Sequence, residues 1–201
     1  ASLIRPRSGV VSMFMLREFI DDGTILDSLA DFYEVALAAS PADDEFRRVE
    51  HDLIRYNVVE PFFSKKNKLA MLVKYYEEIR PIGETRNKSD YWLQFGIACT
   101  IYGDFEAAGR AFVNAYAREK VRDRPNTTKI DNYFARYQLE KAAWTSDPEE
   151  AFRLFAAGIE LLLKQIFRDD NRHYPFKAGR ALGSLVTRHY EVWSSAQQKS
   201  F

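Results

Sequence analysis

Apolar residues along this chain recur every three to four positions, and no stretch reads as a strand longer than four residues, so the pattern predicts helices throughout. Leu3–Arg7 is a short extended piece, because the residue before Pro6 avoids helix, and Ser8 caps a helix to about Phe19. Asp21-Asp22-Gly23 breaks it. A second helix starts at Thr24 or Asp27 and runs through Ala39, with Ile25, Leu29, Phe32 and Ala36 on its apolar face. Beyond the Ser40-Pro41 turn, a helix from Asp43 or Asp44 to about Glu60 carries Phe46, Val49, Leu53 and Tyr56, and Pro61 ends it. Asn67–Arg80 follows with Leu69, Leu72, Val73 and Tyr76 facing inward, stopped by Pro81. Helices over 89–102 and 104–121 come next, then the polar loop RDRPNTT with Thr127 or Thr128 as a cap. Lys129–Trp144 and Pro148–Phe167 form a hairpin whose turn is Ser146-Asp147-Pro148, with proline at the first helical position. Pro175–Gln198 is the last helix.

The stretch Tyr91–Lys120 organises the rest. Large residues (Trp92, Phe95, Phe105, Phe112) alternate with small ones (Gly96, Ala108, Ala115) where two backbones approach, and the chain folds back at Gly103-Asp104. From Trp92 the spacing W-x2-F-G-x6-G-D-F-x2-A-x3-F-x2-A resembles one tetratricopeptide (TPR) repeat, a helix-turn-helix unit of about 34 residues. In the second hairpin Ala151, Phe155 and Gly158 stand at the offsets of Ala108, Phe112 and Ala115, while its first helix lacks the Trp and the Gly, as in a degenerate repeat. The resemblance implies an all-α fold of antiparallel helical hairpins stacked as a TPR-like α-solenoid, divided into 1–20 (the tail of an upstream region and the first helix), 21–88 and 89–201. A groove in such a stack is lined by the first helix of each pair. That selects Asp90, Leu93, Ile97 and Thr100, and then Tyr133, Arg136, Glu140 and Trp144, a mixture of aromatic and charged residues suited to a protein surface. The alternative is that Tyr133 and Trp144 are buried between neighbouring repeats.

Composition narrows the class. Hydrophobic residues make up 46% and charged residues 29% of the 201, the balance of a folded rather than a disordered chain. Lys plus Arg equal Asp plus Glu at 29 each, so net charge favours neither nucleic acid nor acidic lipid. The charge is unevenly spread: residues 1–60 carry 6 basic and 12 acidic side chains, whereas 164–201 carry 7 and 3. An acidic start and a basic end would suit an oligomerisation arm, with ordinary surface variation as the plainer account. The single cysteine, Cys99, excludes an internal disulfide framework and fits a reducing, cytoplasmic setting. No apolar run is long enough to cross a bilayer. The opening Ala-Ser, with no signal peptide, is expected of a piece of a longer protein.

Three stretches, YWLQFGIAC, IDNYFARYQLEKA and RHYPFKAGRAL, resemble the carboxy-terminal helical repeats of bacterial STAND-type P-loop ATPases, many of them antiviral. LIRPRSGVVSMFMLREF is similar to the segment leaving the winged-helix region of such proteins. The resemblance implies that ATPase and effector domains lie upstream. This piece would be a non-enzymatic sensor arm, binding a foreign protein such as one from a phage, or packing on the ATPase core until one arrives. Oligomers would form through the full-length protein.

Catalytic chemistry is mostly missing from the sequence. His51, His173 and His189 have no i, i+4 pairing, and one cysteine cannot complete a thiolate site, so no metal or cofactor is expected. There is no G-x4-GK[ST], G-x-S-x-G or G-x-G-x-x-G. Arg168 to His173 is an R-x4-H that resembles the active site of HEPN ribonucleases. That resemblance would make His173 the acid or base and Arg168 the phosphorane stabiliser, although Asp169-Asp170-Asn171 before Pro175 reads as a loop. Lys164, Arg168, Arg172, Lys177, Arg180 and Arg188 could meet phosphate, but the interleaved Phe167, Tyr174 and Phe176 fall where a helix core needs them. Asp131 precedes Arg136 by more than one turn, so the two pair only if Asp131 lies at the cap; Arg136 is otherwise a tie between repeats or a ligand contact. Cys99 reads as a packed thiol.

Overall fold

Every regular element in the computed structural model, which describes residues 20–86, 88–167 and 183, is a helix, and no strand occurs among the described residues. In chain order these are α1 (Asp22–Ala39), α2 (Asp44–Leu53), α3 (Tyr56–Val59), a 3-10 turn (Glu60–Phe62), α4 (Lys68–Arg86), α5 (Lys88–Ile101), α6 (Phe105–Lys120), α7 (Thr128–Trp144) and α8 (Pro148–Ile166). Contacts divide the chain into two compact units, Ala1–Ala98 and Cys99–Phe201. The division falls inside α5. The expected helices over 8–19 and 175–198 lie outside the described residues.

In the first unit, Asp21 starts α1 where the sequence pattern implied a break. Its carboxylate accepts from the Thr24 amide (3.0 Å) and the Thr24 hydroxyl (2.7 Å), satisfying a donor that the first turn would leave orphaned. The buried stripe is Ile25, Leu26, Leu29, Tyr33, Ala36 and Leu37. Phe32, expected on the apolar face, is 47% exposed, because Tyr33 takes the inward position beside Leu29 and Ala36. Helix α1 packs on α2 and α4.

Helix α2, capped by Asp43 through the Glu45 amide at 2.7 Å, stops at Leu53 instead of reaching Glu60. Two tyrosines of α4 account for the early stop. The Tyr75 hydroxyl donates to the Leu53 carbonyl (2.9 Å) and the Tyr76 hydroxyl to the Ile54 carbonyl (2.8 Å). Carbonyls that a continuing helix would have bonded are thus satisfied from outside, where leaving each one buried and bare costs roughly 1–3 kcal/mol. Both rings are fully buried.

Pro81 does not end α4, which runs through it to Arg86. Proline has no N–H to give the carbonyl four residues back, a loss of about 3 kcal/mol in a helix interior. Packing on either side offsets it. Ile79 is 2% exposed, and Gly83 sits so close to the Tyr91 ring that a β-carbon there would lie 2.8 Å from it. Tyr91 also donates to the Tyr76 carbonyl and meets the Tyr76 ring edge-on, so the first turns of α5 are held against α4.

The second unit opens with the end of α5. Gly103 has φ +80°, the left-handed region that favours glycine. The Asp104 amide donates to the Cys99 carbonyl (2.9 Å) and the Gly103 amide to the Thr100 carbonyl (3.2 Å), the paired bonds of a Schellman cap. Asp104 then caps α6 by accepting from the Ala107 amide at 3.0 Å. Helices α6 and α7 meet through rings: Phe112 against Phe134 at 5.6 Å between centroids, and Phe112 against Tyr137 at 5.5 Å. Helices α7 and α8 share a core of Ala135, Leu139, Ala142, Phe155, Ile159 and Leu162. Residue pairs 112–134 and 116–131 on one side, and 135–158 and 131–165 on the other, give both packings an antiparallel register. Asp147 caps α8 through the Glu149 amide, with Pro148 at its first position, as its sequence predicts.

Candidate functional site

Two carboxylates, the buried Glu119 and the half-buried Asp131, set the position of α7. Glu119, 3% exposed in the last turn of α6, accepts from the Asn126 amide (2.9 Å) and from Arg122 (3.0 Å). Asn126 in turn accepts from the Thr128 amide at 3.1 Å. The RDRPNTT loop is therefore tied to the helix it leaves and the helix it enters, and Asn126 makes the capping bond expected of Thr127 or Thr128. Thr127 instead donates its hydroxyl to Asp131 at 2.9 Å.

Asp131 is the second anchor. One oxygen accepts from the Tyr116 hydroxyl of α6 (2.7 Å); the other accepts from Thr127 and from Gln165 of α8 (3.1 Å). This one carboxylate joins three helices. Burial pushes the Tyr116 phenol well above its ordinary range, and the hydrogen bond to Asp131 adds to the shift. The Asp131–Arg136 pair that the spacing left open is not made: Asp131 turns toward α6 and α8, away from Arg136. Its place in an acidic first turn was the readable signal for an anchoring role.

Tyr133, Arg136, Glu140 and Trp144 share one face of α7, bordering the side on which Tyr137 packs against Phe105 and Phe112. Tyr133, Arg136 and Glu140 are half-buried. The Arg136 guanidinium lies over the Tyr133 ring, 5.5 Å from its centroid, a cation–π contact. Arg136 Nε is buried without a hydrogen-bond partner among the described residues, as is the Oδ1 of Asn132 one turn earlier. Asn132, only 1% exposed, was not singled out by sequence, since an Asn within a helix carries no positional signature. Trp144 is 77% exposed, so the alternative that neighbouring helices bury it does not hold.

The expected residues of α5 fare differently. Leu93 and Ile97 are core residues, 1% and 5% exposed, and offer no surface; Asp90 and Thr100 are half-buried. The physical reason is that α5 is buried nearly all round, with Tyr91, Trp92, Gln94 and Ala98 also inside, so flanking the stripe does not mean facing solvent. Leu93 and Ile97 also belong to the first unit, whereas the α7 face belongs to the second.

Cys99 is fully buried, and burial pushes its thiol up to about 12, which leaves it protonated and unreactive. Among the described residues no group of three or more His, Cys, Asp or Glu could hold a metal ion, and no helix is long and apolar enough to cross a membrane. Arg168, Arg172, His173, Lys177, Arg180, Arg188 and His189 lie outside the described residues. No family model, curated protein or solved structure matches this chain.

Proposed function

We propose that this chain is a non-enzymatic protein-recognition module built as a TPR-like stack of helical hairpins, and that it serves as the ligand-sensing arm of a larger bacterial STAND-like ATPase in antiviral defence. The observation that carries the binding half is the partly exposed face of α7. An exposed Trp144 stands on the same side as a half-buried Arg136–Tyr133 stack whose Nε has no partner within the described residues. Trp, Tyr and Arg are the residues on which binding energy concentrates. The antiparallel α6–α7–α8 run, each helix covering the apolar side of the last, is the arrangement that a repeat stack requires. The STAND assignment rests on the three sequence stretches alone.

The binding half is tested with a partner captured from the source cells, purified, and titrated against the wild-type chain and the W144A/R136A pair. A drop of about tenfold or more in affinity, with helicity unchanged, supports the face. Equal affinities remove it. The STAND half is tested by reading the same open reading frame upstream of Ala1. A G-x4-GK[ST] motif there supports it, and an upstream region without one refutes it.

A further inference from the structure

We infer, resting on the reading of α7 as a recognition face, that a second copy of this chain covers that face in antiparallel fashion when no foreign ligand does. Along α7 the four side chains run aromatic, cationic, anionic, aromatic: Tyr133, Arg136, Glu140, Trp144. At 100° per residue they fall within about 80° of helix arc, on one stripe. Arg136 and Glu140 are centred on position 138, and Tyr133 and Trp144 half a residue further on, an offset of about 1 Å along the axis. An antiparallel copy therefore sets each Arg136 against the other's Glu140, and each Trp144 against the other's Tyr133. Twofold interfaces need this reciprocity, residue i meeting j while j meets i. A parallel copy would set like charge on like charge.

The two charges are left available for that use. Arg80 and Glu84 have the same order and spacing and close on each other at 3.3 Å, as do Glu106 with Arg110 and Glu160 with Lys164 (2.6 Å). Arg136 and Glu140 do not close. The guanidinium turns over the Tyr133 ring, 5.5 Å from its centroid, and Glu140 makes no ion pair with the described residues. Pairing across two chains compensates both half-buried charges, and Trp144, 77% exposed, gains a ring to pack on. Nucleic acid or an anionic lipid surface would answer Arg136 and be repelled by Glu140.

The test is sedimentation of the full 201-residue chain over a range of concentrations. Wild type should form a reversible dimer in the micromolar range. Arg136→Glu sets glutamate against glutamate and Glu140→Arg sets arginine against arginine, so each alone should weaken dimerisation at least about tenfold. Mixing these two variants restores opposite charges at both contacts, and association should return to within about threefold of wild type, which also shows that both fold. Trp144→Ala should cost about tenfold. A monomeric wild type overturns the proposal, as does a dimer indifferent to these variants or a mixture that stays monomeric. None of these outcomes bears on a foreign ligand at α7, which stands or falls on the captured-partner titration. There, equal affinities with an intact dimer would leave self-association as the use of this face.

Discussion

The α-carbon of Gly158 in α8 lies against the carbonyl of Ala135 in α7, so that a β-carbon there would come within 2.9 Å of that oxygen and of the Leu139 branch carbon. Backbone cannot give way as a side chain can. Gly158→Ala should therefore destabilise the second unit by about 1–3 kcal/mol, despite the roughly 1 kcal/mol that alanine gains in a helix. Gly109→Ala meets only the Tyr137 hydroxyl, the far end of a side chain, and should be close to neutral. Urea unfolding of both variants checks the contrast; equal effects would mean that α7 and α8 move apart freely at Gly158.

Tyr75→Phe and Tyr76→Phe each keep a buried ring and remove one hydroxyl from the Leu53 or Ile54 carbonyl. Each should cost about 1–2 kcal/mol of unfolding free energy, because the carbonyl stays buried. The same substitution at Tyr102, which is only half-buried, serves as a reference for ring-hydroxyl removal outside this break.

Asp22 makes stability depend on pH. Burial raises its pKa, but hydrogen bonds from the Ser64 amide (2.9 Å) and hydroxyl (2.6 Å), with one from Asn67 (3.1 Å), outweigh that and leave it below the ordinary 3.8. A depressed carboxylate contributes stability above its unfolded pKa and loses it as pH falls through the folded value. Asp22→Asn should be less stable than wild type at neutral pH, and the gap should narrow as the pH drops below 3.8. A gap constant down to strongly acidic conditions would exclude this carboxylate as the cause.

The Asp131–Tyr116 bond can be isolated by a double-mutant cycle. Asp131→Asn and Tyr116→Phe should together cost less than the sum of their separate effects, with a coupling of about 1–2 kcal/mol. Chemical denaturation supplies all four corners. Additive effects would show that Asp131 holds α7 through Thr127 and Gln165 alone.

Helix content was legible along most of the chain because three-to-four spacing, the acidic start at Asp43 or Asp44, and the Gly103-Asp104 and Ser146-Asp147-Pro148 turns are local signals, and each reappears where expected. The misreadings share one cause. Pro81 looks like a stop, and the run to Glu60 looks continuous, when only neighbouring residues are weighed. Tyr75, Tyr76, Gly83 and Tyr91 reverse both readings from distant positions, by supplying hydrogen bonds and close packing that no local window contains. The candidate face divides the same way. That Tyr133, Arg136, Glu140 and Trp144 share a side of one helix follows from the sequence, since 3.6 residues per turn dictates it. That Leu93 and Ile97 are sealed inside, that Asp131 is spent on joining three helices, and that Trp144 stands in water were decided by tertiary packing, because burial depends on what the rest of the chain places over each side chain.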